Sequence, residues 1–412
     1  MWLRDVNGAV LIVVLVLAGL AGAGESPALK PLYDQHRWFE LREAIQRQEA
    51  PTLYKGAVAS AFNDAKAAEK YLSQTIQLEP NSDDAEDAHE RLADLYVRSG
   101  RYTEAVQQLD QALRIKPASP DVVNARAIFA AWSRHPDQSV RIAKSTRIHT
   151  DVSKHGVKLP VSIHGKTVHW LLDTGANLSV MSESEARTLG VAIDESSAQV
   201  GDPAGGMTKM RTAVVDELGI GGVSLRNVGF LILPDSQQPM SDLRPDERGI
   251  IGIPVAIALQ SISWSSNGTF EIRPGSGRSA NSANNLSFDG LSPVTRVQFE
   301  GKELDCILDT GEDAGSQLWT RFANEFGPLL KQRGTKSKQQ VTMVGGSNDR
   351  ETIALAEIHL RVGGLKTTLR PAQVFSKPVG DDFHHGLLGT DILSQARKVR
   401  IDFVSMTLEL SP

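Results

Sequence analysis

Between Val157 and the last residue the chain carries the same stretch of sequence twice, and a chain that repeats itself in this way is expected to build two similar units. Ile163-His164-Gly165-Lys166 followed by Leu171-Leu172-Asp173-Thr174-Gly175 returns as Phe299-Glu300-Gly301-Lys302 followed by Ile307-Leu308-Asp309-Thr310-Gly311. Both Gly-Lys pairs and both Asp-Thr-Gly triplets are 136 residues apart. In the same order, Gly205-Gly206 is answered by Gly345-Gly346, and Leu218-Gly219-Ile220-Gly221-Gly222-Val223 by Leu360-Arg361-Val362-Gly363-Gly364-Leu365. Ile250-Ile251-Gly252 is answered by Leu387-Leu388-Gly389, and Thr269-Phe270-Glu271-Ile272 by Thr407-Leu408-Glu409-Leu410. So many features in one order mark an internal duplication.

The texture of both copies is Val, Ile, Thr and Gly in short runs, which predicts all-β units. The expected boundaries are 156–273 for the first lobe and 291–412 for the second. A Gly-, Ser- and Asn-rich linker is expected over 274–290, because that stretch lacks the apolar periodicity of a packed element. Ahead of the lobes, residues 34–132 are rich in Ala, Leu, Glu and Gln at helical spacing. Ala93, Tyr96, Gly100, Tyr102, Ala105, Leu109, Ala112 and Pro117 place small residues where two helices must approach, and a proline where the second must stop. Gly56, Ala68, Leu72 and Pro80 form a weaker copy, with Ser82-Asp83-Asp84 as an insertion. The pattern resembles a tetratricopeptide repeat and predicts a helical domain. A mixed basic segment over 133–155 reads as a linker.

Composition narrows the partners. The net charge is -5 with 6% aromatic residues, which offers neither the basic face nor the stacking platforms of a nucleic-acid binder. The one cysteine, Cys306, excludes an internal disulfide and sits in an apolar run, so a buried thiol is expected. Residues 1–24 hold an uncharged apolar run from Gly8 to Gly24 with Ala21-Gly22-Ala23 as a small-x-small cleavage site. They read as a signal peptide, or as an uncleaved N-terminal anchor, which gives the only expected membrane contact. An exported protein, periplasmic or secreted, is therefore expected.

The triplets carry the chemistry. In each copy an apolar strand delivers an Asp to a tight turn where its carboxylate is poorly solvated. Gly175 and Gly311 permit the turn and the close approach of the opposing loop. The hydroxyls of Thr174 and Thr310 can bond across to the partner loop and hold Asp173 and Asp309 face to face. Two carboxylates in contact share a proton, so one can activate water while the other protonates a carbonyl oxygen. Such chemistry requires no metal and no cofactor.

Each copy resembles a retropepsin-type aspartic protease subunit, on Asp173-Thr174-Gly175-Ala176-Asn177, a Gly-Gly hairpin and an apolar-apolar-Gly element. The chain is similar to a fused version of the two-subunit enzyme, with an active unit expected to be monomeric. The resemblance implies an aspartic endopeptidase in which Asp173 and Asp309 are the catalytic pair. It implies that Thr174, Gly175, Thr310 and Gly311 support the active loops, and that Gly205, Gly206, Gly345 and Gly346 are flap tips over a peptide or protein substrate. Ile250-Ile251-Gly252 and Leu387-Leu388-Gly389 would pack beneath the loops. Glu312 departs from the family, which has a small residue there, and neither flap carries the tyrosine of pepsins. Two other readings fit parts of the sequence: a peptide-binding protein that has lost hydrolysis, and a scaffold working through a protein partner of the helical domain. His384 and His385, adjacent in an extended run, point to opposite faces and make no metal site. Trp170 and Trp264 read as packing residues. The glycines of 200–206 are not a phosphate loop, because no Lys-Ser/Thr follows.

Overall fold

A computed structural model describes residues 28–117, 120–142, 144–194, 199–201, 207–275, 284–343, 346–378 and 383–412. The expected signal segment, the first flap tip Gly205-Gly206 and Gly345 lie outside the described residues.

Seven helices open the described chain: Leu29–Asp34, Trp38–Ile45, Thr52–Ala61, Ala65–Leu78, Asp83–Arg98, Tyr102–Ile115 and Pro120–Trp132. Their starts follow ordinary capping chemistry. Asp64 accepts the N–H of Ala67 at 3.2 Å, and Ser82 that of Ala85 at 3.1 Å ahead of the acidic turn Asp83, Asp84, Glu86. The small residues do what their spacing predicts. A Cβ on Gly56 would lie 2.7 Å from the Leu72 side chain, and Ala68 and Ala105 are fully buried. The first described helix, Leu29–Asp34, lies ahead of the expected boundary at residue 34, with Leu32 and Tyr33 in the helical core.

The two copies fold alike. Each starts with a hairpin, Gly156–Ile163 with Lys166–Leu172 and Ser292–Phe299 with Lys302–Leu308. The turns match in backbone: His164 and Glu300 both have φ 49°, and Gly165 and Gly301 both φ 78°. Two consecutive positive φ values are what a two-residue hairpin turn demands. A later strand then returns parallel to the Asp-bearing strand, pairing Ile250 with Leu171 and Ile251 with Leu172. In the second copy Leu387 pairs with Ile307 and Leu388 with Leu308. The closing hairpins, Ser261–Ser265 with Thr269–Arg273 and Lys398–Asp402 with Thr407–Ser411, join edge to edge. Ser261–Ser265 pairs antiparallel with Lys398–Asp402, so one sheet belongs to both lobes.

Two expected linkers are corrected. Within 133–155, Ser139–Ile142 pairs with Val223–Arg226, Thr146–His149 extends the shared sheet beside Thr269–Ile272, and Asp151–Ser153 pairs with Gly156–Lys158. Within 274–290, Leu286–Asp289 pairs with Ser292–Thr295 and buries Leu286 and Phe288. These strands run only three or four residues. That is too short for alternation to stand out from the surrounding composition, and the backbone partners of Ser139–Ile142 and Thr146–His149 lie far along the chain.

The helical unit is seated on both lobes. A Cβ on Gly229 would lie 2.5 Å from the indole of Trp132, so the last helix rests directly on first-lobe backbone. Arg98, 2% exposed, donates to Ser60 and to the carbonyl of Gly290, while Asn63 donates to the carbonyl of Phe403. His36 bonds Asp289 at 2.7 Å and stacks on Phe383, and Arg296 pairs with Glu40 and Glu43. Trp170 and Trp264 are buried as expected, with the Trp170 indole donating to Glu185 at 3.0 Å; Cys306 is fully buried.

Trp132 is 1% exposed and joins the helical core to the first lobe. Trp132→Ala is expected to destabilise the protein by about 3–5 kcal/mol, read as a lower urea midpoint.

Candidate active site

The Asp loops are held by the strands that end in them. Asp173 donates its N–H to Ile251 O at 3.0 Å, and Asp309 its N–H to Leu388 O at 2.9 Å, continuing the parallel pairing by one residue. The chain then turns, and each carboxylate folds back on its own loop. Asp173 Oδ1 accepts from Gly175 N at 2.8 Å and Ala176 N at 3.2 Å. Asp309 Oδ1 accepts from Gly311 N at 2.8 Å and Glu312 N at 3.0 Å.

The two threonines cross between lobes. Thr174 Oγ1 donates to Leu308 O at 2.6 Å and accepts from Thr310 N at 3.0 Å. Thr310 Oγ1 donates to Leu172 O at 2.7 Å and accepts from Thr174 N at 3.0 Å. Both residues are essentially inaccessible to solvent. The glycines allow the final approach. A Cβ on Gly175 would lie 2.1 Å from Asp309 Oδ2, and one on Gly311 2.4 Å from Asp173 Cγ. No other residue fits either position without moving the opposite carboxylate.

Asp173 and Asp309 thus face each other within hydrogen-bonding reach, both still partly open to solvent. Burial raises the Asp173 pKa well above the usual carboxylate range, and the neighbouring Asp309 charge adds to it. Burial raises Asp309 as well, against the opposing effect of hydrogen bonds from Asp173, Gly311 and Glu312. Such a pair titrates as a unit and keeps one proton over a wide range.

The elements under the loops repeat as well. Gly252 N donates to Ser179 Oγ at 3.0 Å, and Gly389 N to Ser316 Oγ at 2.8 Å. Ile253 N donates to Ala176 O, and Thr390 N to Glu312 O. The two serines were not singled out in the sequence, although each follows its triplet at nearly the same distance. The cross-lobe bonds of His155 with Asp313 at 2.6 Å and of Thr390 Oγ1 to Lys154 O at 2.7 Å left no sequence signal. Of the proposed flap residues only Gly346 is described. It opens the strand Gly346–Leu355 and pairs with Met343 at the end of Thr335–Met343. In the first lobe the corresponding described pairing is shorter, Gln199–Gly201 with Met207–Lys209.

Glu312 lies beside the pair without bonding it through its side chain. Its Oε1 accepts from Ala314 N at 2.7 Å, and its Oε2 lies 3.4 Å from Gln317 Nε2. Burial pushes its pKa up to about 7, opposed by the Ala314 N–H and reinforced by the charges of Asp309, Asp313 and Asp391. His384 and His385 are both buried. His385 Nδ1 accepts from Asp305 N at 3.0 Å and its Nε2 meets Glu325, whereas His384 faces Asp289. Among the described residues no three His, Cys, Asp or Glu side chains converge as a metal site requires.

Residues 159–255, which run from the first hairpin through the Ile-Ile-Gly element, match the family model described as aspartyl protease. Residues 59–128 match the tetratricopeptide repeat. The aspartyl-protease match thus falls within the first lobe and the tetratricopeptide-repeat match within the helical unit, and the second lobe repeats the first in strand pairing and loop geometry. Among solved structures, a retropepsin-like aspartic protease from Rickettsia conorii matches at 11% identity, over 34% of this chain and 94% of that one, with a TM-score of 0.23. No curated protein matches the chain.

Thr174→Val removes one hydroxyl and leaves the Leu308 carbonyl and the Thr310 N–H buried without partners. It is expected to cost ~2–6 kcal/mol of stability, seen by chemical denaturation. A second expectation follows from Glu312. Its pKa rises from 4.5 to about 7 on folding, so the folded state binds the proton more tightly. Its contribution is present below about 4.5 and is lost as pH climbs through about 7. Glu312→Gln should therefore raise the melting temperature relative to the unsubstituted chain more at pH 8 than at pH 5.

Proposed function

We propose that the protein is an aspartic endopeptidase whose catalytic water is held between Asp173 and Asp309. The observation that carries this reading is the pair of Asp-Thr-Gly loops locked by crossed threonine bonds, with two carboxyl groups in contact and raised pKa values. The ionised member takes a proton from the water as its oxygen attacks the scissile carbonyl carbon. The protonated member gives its proton to the carbonyl oxygen, and the tetrahedral diol forms without a covalent enzyme intermediate. Collapse of the diol breaks the C–N bond while a carboxyl group protonates the leaving nitrogen. Thr174, Gly175, Thr310 and Gly311 act through position, holding the two groups at one distance in every turnover.

The peptide lies extended in the cleft, bonding through its main chain to the hairpins around Gly205-Gly206 and Gly345-Gly346. Both lobes belong to one chain, so the active unit is a monomer. The repeat domain supplies a surface for a protein partner, and residues 1–24 direct export to the periplasm or medium. One observation favours a second reading, a peptide binder without hydrolysis: Glu312 puts a further carboxyl group beside the pair. A peptide library separates the two, because a binder retains peptides and releases no fragments.

Asp173→Asn and Asp309→Asn are each expected to reduce kcat/KM on a cleaved peptide to background, with no further loss in the double variant, since the pair works as a unit. The wild-type profile should be bell-shaped in pH, falling when the pair holds two protons or none. Near wild-type turnover in either single variant would refute the mechanism.

A further inference from the structure

The lobes share a two-fold plan, so residues that pair across their sheets can be compared row by row. In the first lobe the pairing runs Leu171, Ile250, Val180, Leu231. In the second it runs Ile307, Leu387, Gln317, Gln373. Cross-strand partners share a face, and residues two apart along a strand share it too. Leu171 stands two before Asp173, and Ile307 two before Asp309. Each row therefore lies on the face from which its aspartate projects.

The rows differ in chemistry. The first is aliphatic throughout and continues past Gly229 onto Trp132 of the last helix, with Val180, Leu231 and Ile250 in one apolar cluster with the helices. The second carries two amides, Gln317 and Gln373, at the positions of Val180 and Leu231. The loop residue changes in the same sense, from Ala176 to Glu312.

Gln317 is 4% exposed, yet its described side-chain contacts are long: 3.4 Å to Glu312 Oε2 and 3.4 Å from Trp319 Nε1. A buried amide usually holds closer partners. Gln373 Oε1 accepts from Thr352 Oγ1 at 2.7 Å, carrying the polar line to the base of the second-lobe hairpin. The main charges acting on Glu312 come from Asp309, Asp313 and Asp391 and are all negative, with His155 bonded to Asp313. Glu312 Oε2 thus has one described partner, the Gln317 amide N–H at 3.4 Å, and keeps accepting capacity to spare in a negative field.

We propose that the second-lobe half of the cleft holds a basic substrate side chain against Glu312, whereas the aliphatic row of the first lobe is already covered by the helices. This rests on the peptidase reading above and adds the substrate class. A lysine or arginine reaching Oε2 forms a charge-assisted hydrogen bond that a norleucine of similar length cannot.

The test uses the full chain and fluorogenic peptides identical except at one position in turn, which carries Lys, norleucine or Glu. For the wild type, kcat/KM should favour Lys over norleucine at one position. Glu312→Gln should lower that ratio about tenfold or more, the loss of one charge-assisted contact, and Glu312→Lys should reverse it in favour of Glu. A Lys preference that survives Glu312→Gln, or no preference at any position, overturns the proposal. Dissociation constants of the same peptides, measured on Asp173→Asn by fluorescence anisotropy with and without Glu312→Gln, separate the two claims. Peptides that are never cleaved yet bind with a Lys preference following residue 312 sink the peptidase reading and keep this one. Peptides bound without that preference sink this one alone.

Discussion

The crossed hydroxyls of Thr174 and Thr310 are the constraint on which the rest of the molecule depends. Each hydroxyl uses its proton on a carbonyl of the other lobe and its lone pair on an N–H of the other lobe. Four buried backbone groups are thereby paired across the lobes. Each loop is bonded within its own lobe and to the other, so the facing pair is completed only where both lobes meet. The glycines set the remaining distance, because the space a side chain would need at 175 or 311 is taken by the opposite carboxyl group.

Around that symmetric centre the protein is asymmetric. The helical repeats rest on the first lobe through Trp132 and Gly229, and grip the second through Arg98, His36 and Asn63. They therefore report on the relative placement of the lobes rather than hanging from one of them. The loops diverge as well: Ala176 and Glu312 make the same backbone bonds to their aspartates, and only their side chains differ. A duplicated scaffold can change chemistry in one half without touching the geometry of the shared centre.

The duplication, the Asp-bearing strands and the helical front were legible because each rests on local pattern: motifs repeated in one order, apolar runs ending in a triplet, small residues at helical spacing. The other elements carry too little local pattern to be read from the sequence. Ser139–Ile142 and Thr146–His149 are strands because first-lobe strands lie beside them, not because Val140 or Ile148 announces one. Leu286–Asp289 was hidden in a Gly- and Ser-rich stretch whose character comes from the residues before it. Ser179 and Ser316 look like ordinary serines until Gly252 and Gly389 are brought onto them.

The shared sheet also dictates how the cleft admits anything. Ser261–Ser265 and Lys398–Asp402 are laced along five residue pairs, and swinging the lobes apart would break that ladder together with the threonine bonds above it. Entry by a hinge between lobes is therefore closed to this architecture. In the second lobe the hairpin of Thr335–Met343 with Gly346–Leu355 is paired along nine positions.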